Sequence, residues 1–393
     1  MFQPRCVART STSPGSSLSG DKQDLRAASR DTFFRGIQWS ADGTSLIASH
    51  ADNSIQTFIV PPDLLDEAPE PHLLAPYCTI PASDPVNAVA GYPFFSLEDP
   101  STTLVLSSMR DHPIRLNSAL TGQLGASYPL INPMTEAFIS PHSLIFNPQG
   151  DRFIAGSDSL VSVFDVSRPG QEPISAVPTG PKRRSTSDYN PAMNMRGIVS
   201  TLAVEPSTGI LAAGTYSRSI GLYGAGGQGE CIGVFSVKGT VADPHIGGNG
   251  ITQVLWSPCG RYLYIAERKS NGVLVYDIRK TGQLLVWLEG RMAQTNQRLG
   301  IDLVVSDTPD SAEVWAGGVD GCIRMWKDVQ QHEGAISPTF EFEAHHDAIS
   351  STVVHQTGGV LATCSGQRHF EGDFEGMEAA AMTHDNTLKL WEL

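Results

Sequence analysis

No run of about 18 consecutive apolar residues occurs anywhere in this chain, so no membrane-spanning helix is expected. Residues 1–30 lack the apolar core of a secretory signal. They are rich in Ser, Thr, Arg and Gly, and disorder is expected there. A transit peptide is opposed by Asp21 and Asp24. Basic residues are scarce: 27 Lys and Arg against 41 Asp and Glu give a net charge of −14, which excludes a uniformly basic nucleic-acid binder and leaves room only for a local basic face. The six cysteines, at 6, 78, 231, 259, 322 and 364, form neither a C-x-x-C pair nor a Cys/His group with zinc spacing. Reduced structural thiols are the expectation, with no metal and no cofactor. No G-x-S-x-G elbow is present, so an acyl-transfer enzyme has no nucleophile in the usual setting. Gly224-Ala225-Gly226-Gly227 lies between two strand patterns, whereas a phosphate-cradling loop opens a helix; a hairpin loop is expected.

What the chain does have is a phrase repeated seven times. A turn residue is followed by an apolar–polar–apolar beat, usually ending on an aromatic. The copies fall at 52–58, 111–117, 158–164, 217–223, 270–276, 320–326 and 385–391. Alternation of period two after a turn marks a strand with one buried face. A second phrase precedes it: an apolar strand, a tight turn and another apolar strand. Trp256-Ser257-Pro258-Cys259-Gly260 before Tyr262-Leu263-Tyr264-Ile265 is the clearest copy. From strand-end aromatic to closing aromatic the first, third and fifth units measure 19, 18 and 20 residues. Each unit therefore reads as three strands plus a looser fourth, such as 283–288. Four-stranded units of this length around an axis make a WD40-type propeller of seven blades, an all-β fold. The Trp-Asp dipeptide itself is degenerate, replaced by Phe164-Asp165, Tyr276-Asp277, Trp326-Lys327 and Trp391-Glu392.

The reading divides the chain into an unordered segment, 1–30, and a propeller, 31–393. Blades are placed at 33–60, 84–130, 134–170, 195–238, 247–290, 295–329 and 345–393. The last strand phrase ends two residues before the C-terminus, so blade seven lacks an outer strand. The segment just before Phe33 is the expected donor. Three insertions, at about 61–85, 167–191 and 366–384, read as long polar loops, functional or disordered. The second contains Lys182-Arg183-Arg184, which fits an import signal, a phosphorylation site or a merely solvated loop.

His345-His346-Asp347 has the look of a ligand cluster, but a His ahead of a blade's first strand is expected to make a structural hydrogen bond. Charge placement is more telling. Between Arg261 and Arg298 stand seven basic residues and three acids. In a propeller the turns between second and third strands, and the links between blades, emerge on one face. Tyr216, Arg218, Arg268, Lys269, Arg291, Arg298 and Arg368 all fall in that class. Arginines near an aromatic suit phosphate pairing and base stacking in single-stranded RNA.

The chain resembles the telomerase Cajal body protein family over about 33–393. The marks are Phe34-Arg35-Gly36 with Trp39, Ala51-Asp52-Asn53, His142-Ser143-Leu144 with Phe146, and Arg168-Pro169-Gly170. Blade four adds Tyr216-Ser217-Arg218-Ser219. Most specific are Thr295-Asn296-Gln297-Arg298 and Ser365-Gly366-Gln367-Arg368. The resemblance implies a non-catalytic nuclear scaffold, in the Cajal body or nucleoplasm, that binds small Cajal body RNAs or telomerase RNA together with ribonucleoprotein proteins. Animal members carry a long N-terminal extension where about 30 residues stand here, and yeast-like relatives are associated with spliceosome assembly. The rival expectation is a protein–protein adaptor in spliceosomal complexes with no RNA contact. Clustering of Arg218, Arg268, Lys269, Arg291, Arg298 and Arg368 on one rim separates the two. A monomeric propeller without membrane contact is expected in either case.

Overall fold

A computed structural model describes residues 3–11, 32–180, 195–280, 282–305, 312–368 and 385–393. The Lys182-Arg183-Arg184 stretch and most of the 366–384 insertion lie outside these residues. The sheets are seven, each of four or five strands, and they form the expected WD40 propeller. All seven copies of the repeated phrase become third strands, from Ser54–Ile59 in blade one to Leu388–Glu392 in blade seven.

Ring closure is visible in the packing. Among the described residues seven apolar clusters are buried, and each one spans a pair of successive blades. The cause is the period of two. In the second strand of blade five, Tyr262–Glu267, Leu263 and Ile265 pack toward blade four while Tyr264 and Ala266 pack toward blade six. No blade could bury both faces alone, so the ring is the unit of stability.

Blade seven corrects the expected closure. Its outer strand is Arg5–Thr10, antiparallel to Leu388–Glu392, and not the segment just before Phe33. Ala8 sits opposite Leu390, and Val7 and Ala8 are both buried. The register slips between Cys6 and Ala8, which puts two adjacent apolar residues inside and hides the alternation from the sequence. Thr10 Oγ1 then accepts from the Leu388 amide at 3.0 Å. Residues 5–10 therefore do not belong to an unordered segment. Ala8→Asp is expected to cost about 2–3 kcal/mol, because a carboxylate there has no partner. Arg9→Asp, on the exposed side of the same strand, is expected to cost little. Equal losses of melting temperature in the two variants would contradict this closure.

The insertions are also more structured than expected. Residues 61–85 supply Cys78–Pro81 as the outer strand of blade one. They also supply His72–Leu74, which runs parallel to Arg5–Thr10 and covers its edge. Ser175–Pro178, within the second insertion, is the outer strand of blade three. Blade six ends beyond 329, on Phe340–Glu343, and Gly334–Ile336 covers the outer strand of blade five in parallel. The Gly224–Gly227 run forms a short turn between third and fourth strands, with Gly226 and Gly227 at φ 61° and 87°.

His345 is structural. Its side chain is fully buried, with Nδ1 3.2 Å from Asp385 Oδ2 and Nε2 2.7 Å from Thr363 Oγ1. Trp391 Nε1 donates to Thr363 Oγ1 at 2.9 Å. Burial lowers the histidine pKa, so the ring is neutral at pH 7 and donates from Nδ1. Burial opposes ionisation of Asp385, but hydrogen bonds from His345, Thr387 and the His346 amide hold its pKa well below the usual carboxylate range. A depressed carboxylate pKa contributes stability above the unfolded value near 4, and that contribution is lost as pH falls below it. Asp385→Asn is expected to cost about 2–3 kcal/mol at pH 7. It should also flatten the loss of stability between pH 5 and pH 3 in chemical denaturation; an unchanged acid limb would assign the acid sensitivity to other groups.

Candidate nucleic-acid interface

The inner strands of blades one to five converge on the axis and wall a cavity of about 810 Å³. Its rim is built from second-to-third-strand turns and blade-to-blade links. Phe33, Pro85, His142 and residues 296–298 come from the links, and Ala51, Asn53 and Tyr216 from the turns. Arg368 follows the second strand of blade seven, Val360–Ser365. Three arginines line the cavity, Arg35, Arg298 and Arg368, and its described lining holds no Asp or Glu.

Two of the arginines, Arg298 and Arg35, are held in place by neutral groups. Arg298 donates through Nε and Nη2 to Tyr216 Oη at 3.1 and 2.9 Å, and reaches the His142 carbonyl at 3.4 Å. Arg35 donates to the Val86 carbonyl at 3.1 Å. Burial first, then the charges of Arg298 and Arg368, lowers the Arg35 pKa. Burial and Arg298 likewise lower that of His142, which stays neutral. Like charges thus crowd together with no carboxylate paired to them among the described residues, an arrangement that favours an anion. The two tetrapeptides singled out in the sequence also meet: Gln297 Nε2 donates to the Gly366 carbonyl at 2.9 Å.

Other expected site residues are placed differently. Arg268 lies outside the cavity, but its guanidinium stacks over the Tyr216 ring, 4.5 Å from the centroid. One face of Tyr216 is thereby covered, and its hydroxyl already serves Arg298. Lys269 is exposed on the same face and does not line the cavity.

Arg218 and Arg291 point inward, not to the open face. Arg218 is buried between Glu267 (Nε–Oε1 2.7 Å, Nη2–Oε2 2.8 Å) and Asp243 (Nη2–Oδ1 2.8 Å). It ties blade four to blade five. Burial pushes the Glu267 carboxyl up while Arg218 pulls it down. Gly248 lets the backbone pass close by: a Cβ there would sit 2.4 Å from Glu267 Oε2. Arg291 is also buried, donating to the Leu299 and Gly317 carbonyls at 2.6 and 3.3 Å, and burial brings its pKa down to about 10. Conversely, Arg35 and His142 were not among the expected site residues. Their only signal was membership of the phrases Phe34-Arg35-Gly36 and His142-Ser143-Leu144.

Among the described residues no group of three His, Cys, Asp or Glu side chains is placed to hold a metal. No helix among them is long and apolar enough to cross a membrane. No family model matches the chain. Curated relatives do. Telomerase Cajal body protein 1 of Mesocricetus auratus is 30% identical over 393 residues, covering 95% of this chain and 68% of that protein. The chain belongs to the telomerase Cajal body protein family. The Homo sapiens member is 29% identical, covering 95% of this chain and 66% of its own length. The chain thus spans about two thirds of these family members. The guanine nucleotide-binding protein negative regulator 1 of Schizosaccharomyces pombe (strain 972) is 31% identical over 300 residues, covering 75% of this chain and 71% of that protein.

Proposed function

We propose that this chain is a non-catalytic nuclear scaffold that binds a single-stranded segment of a small Cajal-body-type or telomerase RNA at the axial cavity. The observation that carries the reading is the cavity itself, with three arginines and no carboxylate in its described lining, in a chain of net charge −14. A protein of net negative charge concentrates, at one place, guanidinium groups that have no carboxylate partner among the described residues. Arg298, Arg368 and Arg35 would hold phosphates or stack on bases, which Lys cannot reproduce. Arg268 and Lys269 would flank them. Tyr216 supports this set by fixing Arg298 and Arg268. The names of the relatives favour an RNA of the telomerase and Cajal body class and partners from those ribonucleoproteins.

Binding through about three phosphate contacts has a salt signature. For single strands the logarithmic slope is about −0.7 per contact, so affinity should fall about 20-fold between 50 and 200 mM salt. A titration with a single-stranded RNA octamer pool checks this, and a salt-independent affinity would remove the arginines from the interface. The cellular test is crosslinking the protein to RNA and sequencing the bound species. Recovery of small nuclear guide or telomerase RNAs is the expected result. Recovery of proteins alone would favour the adaptor reading.

A further inference from the structure

The wall of the cavity holds a second kind of recognition group. The inner strands of blades one, two, four, five and seven each slip by one residue near the rim, leaving one extra residue per strand. Such bulges re-aim a side chain. The extra residues are Arg35, Asn87, Ser200, Thr252 and Ser350, at equivalent places around the axis. Three of them are hydroxyls spent on backbone carbonyls: Ser200 on Ile251, Thr252 on Ala266 and Ser350 on Cys364. Arg35 spends one nitrogen on Val86, the residue next to Asn87. The Asn87 side-chain amide lines the cavity with no hydrogen-bond partner among the described residues; Asn53 and Asn296 at the rim share that condition, but Asn87 is the one of the three placed on an inner-strand bulge. The glutamines of the lining are otherwise engaged: Gln38 with the Gly91 amide, Gln253 with Ile301, and Gln297 with Gly366.

A neutral amide whose donor and acceptor are both unspent among the described residues therefore lies one strand from a cluster of guanidinium groups that have no carboxylate partner among those residues. A ligand matching both carries an anion beside a flat group that presents a donor next to an acceptor. A nucleotide does, and an Asn amide meets adenine at such a pair of atoms. The volume of about 810 Å³ is in the range that encloses small organic ligands. We propose that one unpaired nucleotide of the bound RNA inserts into the axial cavity, its phosphate at Arg35, Arg298 and Arg368 and its base edge read by Asn87. This deepens the RNA-binding reading and rests on it.

The test uses the full chain and three small probes, 5′-AMP, ribose 5-phosphate and phosphoserine, beside the octamer pool. AMP is expected to bind at least tenfold tighter than the two probes that lack a base. Asn87→Leu should erase that advantage and leave ribose 5-phosphate binding unchanged. Asn87→Ser, which copies the bulge residue of blade four, serves if the leucine variant does not fold. Equal binding of AMP and ribose 5-phosphate, equal binding of phosphoserine, or an AMP advantage that survives Asn87→Ser overturns base insertion. The two readings fail separately. If the pool binds and loses affinity in Arg298→Ala while AMP shows no advantage, the interface stands and insertion falls. If AMP shows the advantage but the pool does not bind, the cavity is a nucleotide site and the RNA reading falls.

Discussion

Arg218→Ala should destabilise the propeller by about 3–5 kcal/mol, measured by chemical denaturation, because it strands Glu267. That carboxylate is 1% exposed, and Arg218 supplies two of its hydrogen bonds at 2.7 and 2.8 Å. Removing the cation leaves a buried charge, whereas removing both partners need not. Arg218→Met with Glu267→Gln should therefore recover part of the loss. The argument is one of bracing, since Arg218 joins the turn of blade four to the second strand of blade five and to Asp243. RNA affinity of the fraction that remains folded should change little. A stable Arg218→Ala protein that had lost RNA would return this residue to the interface.

The reverse pattern is expected at the cavity rim. Arg298→Ala should keep the melting temperature within a few degrees and weaken RNA binding about 5- to 150-fold, the equivalent of one charge-assisted contact at about 1–3 kcal/mol. Its protein partners are a tyrosine hydroxyl and a carbonyl, both neutral, so its removal strands no buried charge. Combining Arg35→Ala with Arg298→Ala should weaken binding about 100-fold or more, although neighbours that repel each other need not add. Arg298→Lys should recover little, since a lysine offers neither the fork nor the flat face. Tyr216→Phe is the companion control: it keeps the ring under Arg268 and frees Arg298, so a smaller loss than Arg298→Ala is expected.

The blades were legible in the sequence because their signals are local. A turn residue and a beat of period two announce each third strand, from Ser54–Ile59 to Leu388–Glu392. The closing strand was not, because Arg5–Thr10 buries two adjacent residues at a register slip and its partner lies at the far end of the chain. The end of the propeller at which these loops lie was also legible, since strand order decides it. Which way each guanidinium turns was not. Arg218 lies in a turn within a blade and Arg298 in a link between blades at the same end of the propeller, yet Arg218 meets acids 25 and 49 positions away while Arg298 meets a tyrosine hydroxyl 82 positions away. Arg35 escaped notice for a related reason: it reads as a polar residue on the outer beat of a strand until the slip between Phe34 and Gly36 turns it toward the axis.

The central claim is that RNA meets this protein at one end of the propeller axis. Photo-crosslinking a single-stranded RNA octamer pool to the intact chain, then mapping adducts by mass spectrometry, tests it most directly. Adducts should fall on peptides carrying Phe33, Asn87, His142 and Tyr216, and should disappear in the Arg35→Ala, Arg298→Ala double variant. Adducts concentrated on the turns between first and second strands, such as Asp42-Gly43 or Pro258-Cys259, would put RNA on the opposite face and contradict the account.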